Sequence, residues 1–89
     1  MSHTSHFVLV VDDEPVILNV LRDLVSRAGS SPLLAQTSLE ALQLAQNHPL
    51  AAVVVDYLMP ETPAPDLLRQ IATIHPDASR IVMTGMPSL

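Results

Sequence analysis

Apolar and polar positions divide this chain into two alternating kinds of stretch. One kind is short, mostly apolar and bounded by turn residues, which is typical of strands buried on both faces of a parallel sheet. These stretches lie at residues 6–11, 33–36, 50–55 and 80–84. The other kind has apolar residues at helical spacing, over residues 15–27, 38–47 and 66–74. The alternation predicts a β-α-β-α-β-α-β order, typical of a parallel sheet with right-handed crossovers.

The helical stretches carry start and stop signals. Glu14-Pro15 puts a proline in the first turn of the first helix, and Gly29 suits its left-handed end. Thr37 or Ser38 is expected to cap the second helix. The residues expected to face inward are Val16, Ile17, Val20, Leu21, Leu24 and Val25 on the first helix, Leu39, Leu42, Leu44 and Ala45 on the second, and Leu67, Leu68, Ile71 and Ile74 on the third.

Carboxylates follow two of the predicted strands. Asp12 and Asp13 come directly after the first strand, and Asp56 comes directly after the third. In open parallel sheets, sites form outside the carboxyl ends of the strands, where the strand order reverses. Three carboxylates held together there repel one another, and a hard divalent cation relieves the repulsion. The sequence therefore predicts an acidic pocket of the kind that binds Mg²⁺.

Composition narrows the class of protein. The 89 residues suffice for one small domain, and an apolar fraction of 48% argues against disorder. A net charge of −5 disfavours nonspecific nucleic-acid binding. No apolar run approaches the roughly 18 residues of a membrane span. The polar start lacks a signal-peptide pattern, and the chain has no cysteine, so we expect a cytoplasmic protein with a loose tail at residues 1–5.

The order of the polar motifs resembles that of one signalling family. Asp12-Asp13, the segment Val-Asp-Tyr-Leu-Met-Pro around Asp56, and Thr84 after the fourth strand look like the receiver domain of two-component response regulators. The resemblance covers residues 6–89 and implies a flavodoxin-like α/β fold with a parallel sheet. It also implies a switch whose only chemistry is its own phosphorylation, rather than an enzyme acting on a substrate.

The resemblance assigns a role to each motif residue. Asp56 would be the phosphoacceptor, attacking the phosphohistidine of a sensor histidine kinase or a phosphotransfer protein. Asp12 and Asp13 would hold Mg²⁺ together with Asp56 and the backbone carbonyl of Leu58. Thr84 would hydrogen-bond the phosphoryl group and reorient as the switch.

Two features depart from the family pattern. The glycine expected before the third helix is replaced by Ala64, which lies between two prolines. The sequence stops after the fourth strand, so we expect an incomplete receiver without the fifth strand, its terminal lysine and the fifth helix. Indeed the chain has no lysine at all, and its four basic residues are Arg22, Arg27, Arg69 and Arg80. The fourth strand would then be an unprotected edge through which the chain dimerises or exchanges elements.

Two other functions compete with the phosphoacceptor. A truncated receiver or pseudo-receiver would serve as an interaction or dimerisation module without efficient phosphorylation, which the missing lysine favours and the three carboxylates oppose. A Mg²⁺-dependent hydrolase with an aspartate nucleophile fits less well, because the first strand lacks the Asp-x-Asp spacing that such phosphatases need. Neither nucleic acid nor a membrane is expected as a partner within this chain.

Overall fold

Seven elements alternate in the predicted order. The structure is a computed structural model that describes residues 6–59 and 62–83. Its strands are β1 (Phe7–Val11), β2 (Ser31–Ala35), β3 (Leu50–Asp56) and β4 (Ser79–Met83). Its helices are α1 (Pro15–Arg27), α2 (Ser38–Asn47) and α3 (Ala64–Ile74). The predicted tail at residues 1–5 lies outside the described residues.

The four strands form one parallel sheet in the order β2-β1-β3-β4. Helices α1 and α2 both contact β1 and β2, and α3 contacts α2 and β3. The strand order reverses between β1 and β3, which is the switch point where ligands bind in such sheets. The predicted α/β fold with a parallel sheet is therefore confirmed over the described residues.

The main core lies between the sheet and the helices α2 and α3. Leu9 and Val53 from the sheet and Leu67 and Ile71 from α3 have no exposed surface. Because side chains alternate across a strand, Val10 faces the opposite side of the sheet, where Leu18 of α1 is also buried. Strand β1 is thus covered on both faces near its carboxyl end, as its apolar run predicts, whereas Val54 on the α1 side of β3 is half-buried.

Helix α1 differs from its prediction in the face that it buries. Its buried residue is Leu18, which was not among the predicted inward positions. The predicted inward residues Val16, Val20 and Leu24 are 70%, 52% and 57% exposed, and Ile17 is 36% exposed, because the sheet covers a different part of the helix surface. The apolar arc of α1 is wider than the part that the sheet covers.

Helix ends follow the sequence signals closely. Gly29 has a φ of 90° after the last turn of α1, as expected of a left-handed end. The hydroxyl of Thr37 accepts a hydrogen bond from the Glu40 N–H at 3.1 Å, and the Glu40 carboxylate accepts one from the Gln36 N–H at 2.8 Å. Thr37 is therefore the cap of α2, one of the two candidates.

On the other two helices, two of the residues predicted to face inward are exposed. Leu39 of α2 is 66% exposed, because the inward row of that helix is formed by Ser38, Ala41 and Ala45. Ile74 is 36% exposed, because it is the last residue of α3. Among the described residues, no helix has the length and apolar character that crossing a membrane requires.

Candidate functional site

The site lies at the carboxyl edge of the sheet, where β1 and β3 end side by side. Val11 is the register partner of Val55, so the residues that follow them come out at the same level. One carboxylate oxygen from each of Asp12, Asp13 and Asp56 lies within 4.8 Å of the other two. The three carboxylates that the sequence predicts to meet therefore do meet.

Asp12 is the buried member of this cluster, with 4% of its surface exposed. Its N–H donates to the carbonyl of Ala35 at 3.0 Å, which continues the β1–β2 ladder by one residue. Its carboxylate accepts a hydrogen bond from the Glu14 N–H at 2.9 Å. The backbone on both sides thus fixes the Asp12 side chain at the base of the site.

The pKa of Asp12 is raised above its ordinary value, chiefly because burial disfavours the charged form. The Glu14 N–H lowers the pKa in part, and the negative charges of Asp56, Asp13 and Glu14 raise it further. Ionisation of Asp12 is therefore less favourable than that of an exposed aspartate, and a positive charge in the cluster would offset this difference.

Asp56 is half-buried, and Asp13 is exposed. The Asp56 carboxylate accepts a hydrogen bond from the Leu58 N–H at 3.2 Å. The Tyr57 N–H donates to the carbonyl of Met83 at 2.8 Å, which joins the start of the following turn to β4. The phosphoacceptor candidate thus lies on an anchored turn, with its carboxylate open toward solvent.

Both Asp12 and Asp56 accept from the N–H two residues farther along the chain. These backbone donors were not predicted from the sequence. An aspartate at the end of a strand commonly forms such an Asx-turn, so the signal was present in the position of each residue. These bonds orient two of the three carboxylates before any ligand arrives.

The donor set fits Mg²⁺. The side-chain ligands of the cluster are all carboxylate oxygens, and across the described residues no histidine or cysteine joins the group. Mg²⁺ prefers oxygen ligands and keeps several waters, so three carboxylates of which two reach solvent suit it. A divalent cation would also offset the repulsion among the carboxylates, which adds to the effect of burial in raising the pKa of Asp12.

Three predicted features of the site have different outcomes. Thr84 lies outside the described residues, although Met83, which precedes it, is the register partner of Asp56. The carbonyl of Leu58 as a metal ligand stays a prediction. Ala64 is fully buried as the first residue of α3, and it follows Pro63, whose φ of −54° and ψ of 143° lead into the helix.

Comparison with known proteins gives a consistent result. A family model described as the response regulator receiver domain matches residues 8–88. The response regulator MprA of Mycobacterium sp. (strain KMS) is 37% identical over 82 residues, which are 92% of this chain and 36% of that protein. The chain thus spans about a third of the length of this curated relative.

Two solved structures show the same fold. A response regulator protein from Burkholderia pseudomallei, crystallised with a phosphorylated aspartic acid, a calcium ion and citrate, gives a TM-score of 0.85 at 28% identity, over 96% of this chain and 50% of that one. The beryllofluoride-activated NtrC4 receiver domain dimer, solved in solution, gives a TM-score of 0.82 at 32% identity. The match covers 94% of this chain and 69% of that one. The likeness extends over nearly the whole of the present chain.

Proposed function

Because this chain belongs to the response regulator receiver domain family, we propose that Asp56 accepts a phosphoryl group in a two-component phosphorelay. The observation that carries the proposal is the cluster of Asp12, Asp13 and Asp56, whose carboxylate oxygens lie within 4.8 Å of one another. The donor is a phosphohistidine on a sensor histidine kinase or a phosphotransfer protein. The chain's only chemistry in this proposal is its own phosphorylation, which makes it a switch and not an enzyme.

The transfer needs an oxygen nucleophile held in line and a site that tolerates added negative charge. A carboxylate oxygen of Asp56 attacks phosphorus, a P–O bond forms, and the P–N bond to histidine breaks with its electron pair leaving on the imidazole nitrogen. The Leu58 N–H bond holds one Asp56 oxygen and leaves the other for attack. Thr84 is proposed to hydrogen-bond the transferred group.

Asp12 and Asp13 are proposed to hold Mg²⁺, with Asp56 and the Leu58 carbonyl completing the protein ligands. When bound, the cation supplies charge neutralisation for the transferring oxygens. The proximity of the three carboxylates and the solvent access of Asp13 support this assignment. The calcium ion and phosphorylated aspartic acid described for the Burkholderia pseudomallei relative are consistent with it.

The experiment is phosphorylation by acetyl phosphate with and without Mg²⁺, read by intact mass. The wild type should gain one phosphoryl group only when Mg²⁺ is present, and Asp56→Asn should gain none. Asp77→Asn, an exposed carboxylate outside the cluster, is the matched control and should behave as the wild type. A phosphoryl group gained by Asp56→Asn would refute the assignment of the acceptor.

Metal binding can be followed separately. The chain has one tyrosine and no tryptophan, and Tyr57 is adjacent to Asp56. Its fluorescence should therefore change with Mg²⁺ in the wild type and in Asp77→Asn, and not in Asp13→Asn. An unchanged signal over the millimolar range would contradict the proposed cation site.

A second candidate is an association module that works without efficient phosphorylation. The exposed apolar residues on α1, such as Val16, Val20 and Leu24, favour it. Beryllofluoride separates the two candidates, since it mimics the phosphoryl group on an intact acceptor site. A response in the wild type that is lost in Asp56→Asn supports the switch, and no response in either supports the module.

A further inference from the structure

Glu14 lies directly after the acidic pair, at the position where α1 begins. Its N–H donates to the Asp12 carboxylate at 2.9 Å, and its carbonyl accepts from the Leu18 N–H at 3.1 Å. Pro15 follows it and favours an extended backbone, and Glu14 has a φ of −102° and a ψ of 115°. The backbone therefore holds the start of the Glu14 side chain beside Asp12, at the rim of the site.

The helix does not use the Glu14 side chain. Glu14 is the N-cap residue of α1, a position at which short polar side chains usually accept a hydrogen bond from the first turn. The Glu14 side chain accepts no such bond. The two ion pairs among the described residues join Arg22 to Asp23 and Arg69 to Asp66. Because Glu14 is also exposed, its carboxylate is available to a ligand that enters the site.

The charge of Glu14 acts on the cluster from outside the ligand group. Burial is the main cause that raises the pKa of Asp12, and the negative charge of Glu14 is one of three that raise it further. Glu14 is nevertheless not among the carboxylates whose oxygens all lie within 4.8 Å of one another. Two ligands of one Mg²⁺ lie at most about 4.2 Å apart, because each Mg–O distance is about 2.1 Å. The position of Glu14 therefore suits a contact through water better than direct coordination.

Mg²⁺ leaves room for such a contact, because it takes octahedral coordination and keeps several of its waters. The open side of the site is the side on which Asp13 and Glu14 are exposed. Water on a cation is polarised, and its hydrogen bond to a carboxylate is strengthened by charge. Partners outside the direct ligands commonly orient those ligands and raise the affinity for the metal.

We propose that Glu14 is a positioning residue of the cation site, whose carboxylate accepts a hydrogen bond from a water bound to Mg²⁺. This inference rests on the proposed function, because it assigns one more residue to the same site. It differs from the role in which an acidic residue at a helix start only complements the helix dipole. In that role Glu14 would stabilise α1 and leave the affinity for the cation unchanged.

Titration with Mg²⁺, followed by Tyr57 fluorescence and by calorimetry, tests the role of Glu14. Glu14→Gln keeps the length of the side chain but loses its charge, so it should weaken Mg²⁺ binding roughly tenfold. Asp23→Asn is the matched control, because it removes the same charge from the same helix outside the cluster. This control should bind Mg²⁺ as the wild type does. Equal affinities for the wild type and Glu14→Gln would overturn the proposal.

Asp13→Asn in the same titration separates this inference from the proposed function. If the wild type itself does not bind Mg²⁺, both the proposed cation site and the role of Glu14 are refuted. If Asp13→Asn loses binding while Glu14→Gln binds as tightly as the wild type, the cation site stands and only the role of Glu14 is refuted. A loss in Asp13→Asn with a smaller loss in Glu14→Gln supports both.

Ionic strength distinguishes a water-mediated contact from a long-range effect of charge. The Debye length falls from about 10 Å at 0.1 M salt to about 3 Å at 1 M, so a long-range effect is largely screened at the higher concentration. A hydrogen bond to a metal-bound water is made at contact. The ratio of the affinities of the wild type and Glu14→Gln should therefore persist at 1 M KCl. A ratio that falls to one would overturn the water-mediated contact.

Thermal unfolding tests the purely structural alternative. A ligand that binds only the folded state stabilises it in proportion to the logarithm of its concentration over the dissociation constant. Glu14→Gln should therefore gain less in melting temperature from added Mg²⁺ than the wild type and Asp23→Asn do. A lower melting temperature in chelator combined with an equal gain from Mg²⁺ would show that Glu14 acts on α1 alone.

Discussion

At the scale of single residues, Asp12 shows how the proposed function opposes stability. Burial and the neighbouring carboxylates raise its pKa above the ordinary 3.8. A group whose pKa is raised on folding stabilises the folded state fully below its unfolded pKa, and this stabilisation is lost as pH rises through the folded pKa. At neutral pH without a cation, the folded protein therefore carries an unfavourable charge at Asp12.

We predict that Asp12→Asn raises the melting temperature at pH 7 in the presence of a chelator. Asparagine keeps an oxygen that can accept from the Glu14 N–H, but it carries no charge in the buried position. For a domain of this size, each kcal/mol gained corresponds to about 4–8 °C. Thermal unfolding followed by circular dichroism measures the change.

The advantage of Asp12→Asn should shrink below the unfolded pKa, where the wild-type carboxyl is protonated in both states. Added Mg²⁺ should raise the melting temperature of the wild type and have less effect on the variant. Asp77→Asn serves as the control for a change of net charge. A lower melting temperature for Asp12→Asn at pH 7 would contradict the inference that the charge on Asp12 destabilises the folded protein.

At the scale of elements, the start of α2 shows how local chemistry fixes a boundary. The Thr37 hydroxyl bonds the Glu40 N–H, and the Glu40 carboxylate returns to the Gln36 N–H. Both bonds satisfy backbone donors that a helix start or a strand edge would leave free. The pair Thr37 and Glu40 therefore caps the start of α2, and Glu40 also satisfies the backbone donor of Gln36, the residue that follows β2.

We predict that Thr37→Ala lowers the free energy of unfolding by about 1 kcal/mol, the usual effect of removing a helix cap. Thr73→Ala is the matched control. The Thr73 hydroxyl donates to the carbonyl of Arg69 inside α3, where its loss removes no cap, and should change stability by less than about 0.5 kcal/mol. Urea denaturation of both variants measures the difference, and equal losses would exclude a capping role for Thr37.

At the scale of the whole molecule, α1 has two apolar faces that behave differently. Leu18 is buried against the sheet, while Val16, Val20 and Leu24 form an exposed row. Exposed apolar patches of this kind commonly mark interaction surfaces. The row is therefore expected to contribute little to the stability of the described fold and more to its association.

We predict that Leu18→Ala lowers the free energy of unfolding by about 2–5 kcal/mol, as expected for a buried leucine. Leu24→Gln should change it by less than about 0.5 kcal/mol, because its side chain is 57% exposed. The same Leu24→Gln substitution should reduce binding of an apolar dye such as ANS. A large loss of stability in Leu24→Gln would show that this row is covered in solution.

The sequence by itself determined the order of the elements, the parallel sheet and the position of Asp12, Asp13 and Asp56 at strand ends. These features depend on periodicity and on turn residues, which are local and readable along the chain. The helix boundaries also followed local signals, such as Thr37 before α2 and Gly29 after α1. The family resemblance then followed from the order of motifs.

Only the tertiary structure decided which face of α1 is buried and how far Asp12 is removed from water. An apolar arc on a helix does not reveal how much of it a neighbour covers, so Leu18 was missed and Val16, Val20 and Leu24 were misplaced. Likewise, the raised pKa of Asp12 depends on burial and on charges from another strand. Such properties arise where distant parts of the chain meet, because burial and charge act through space rather than along the sequence.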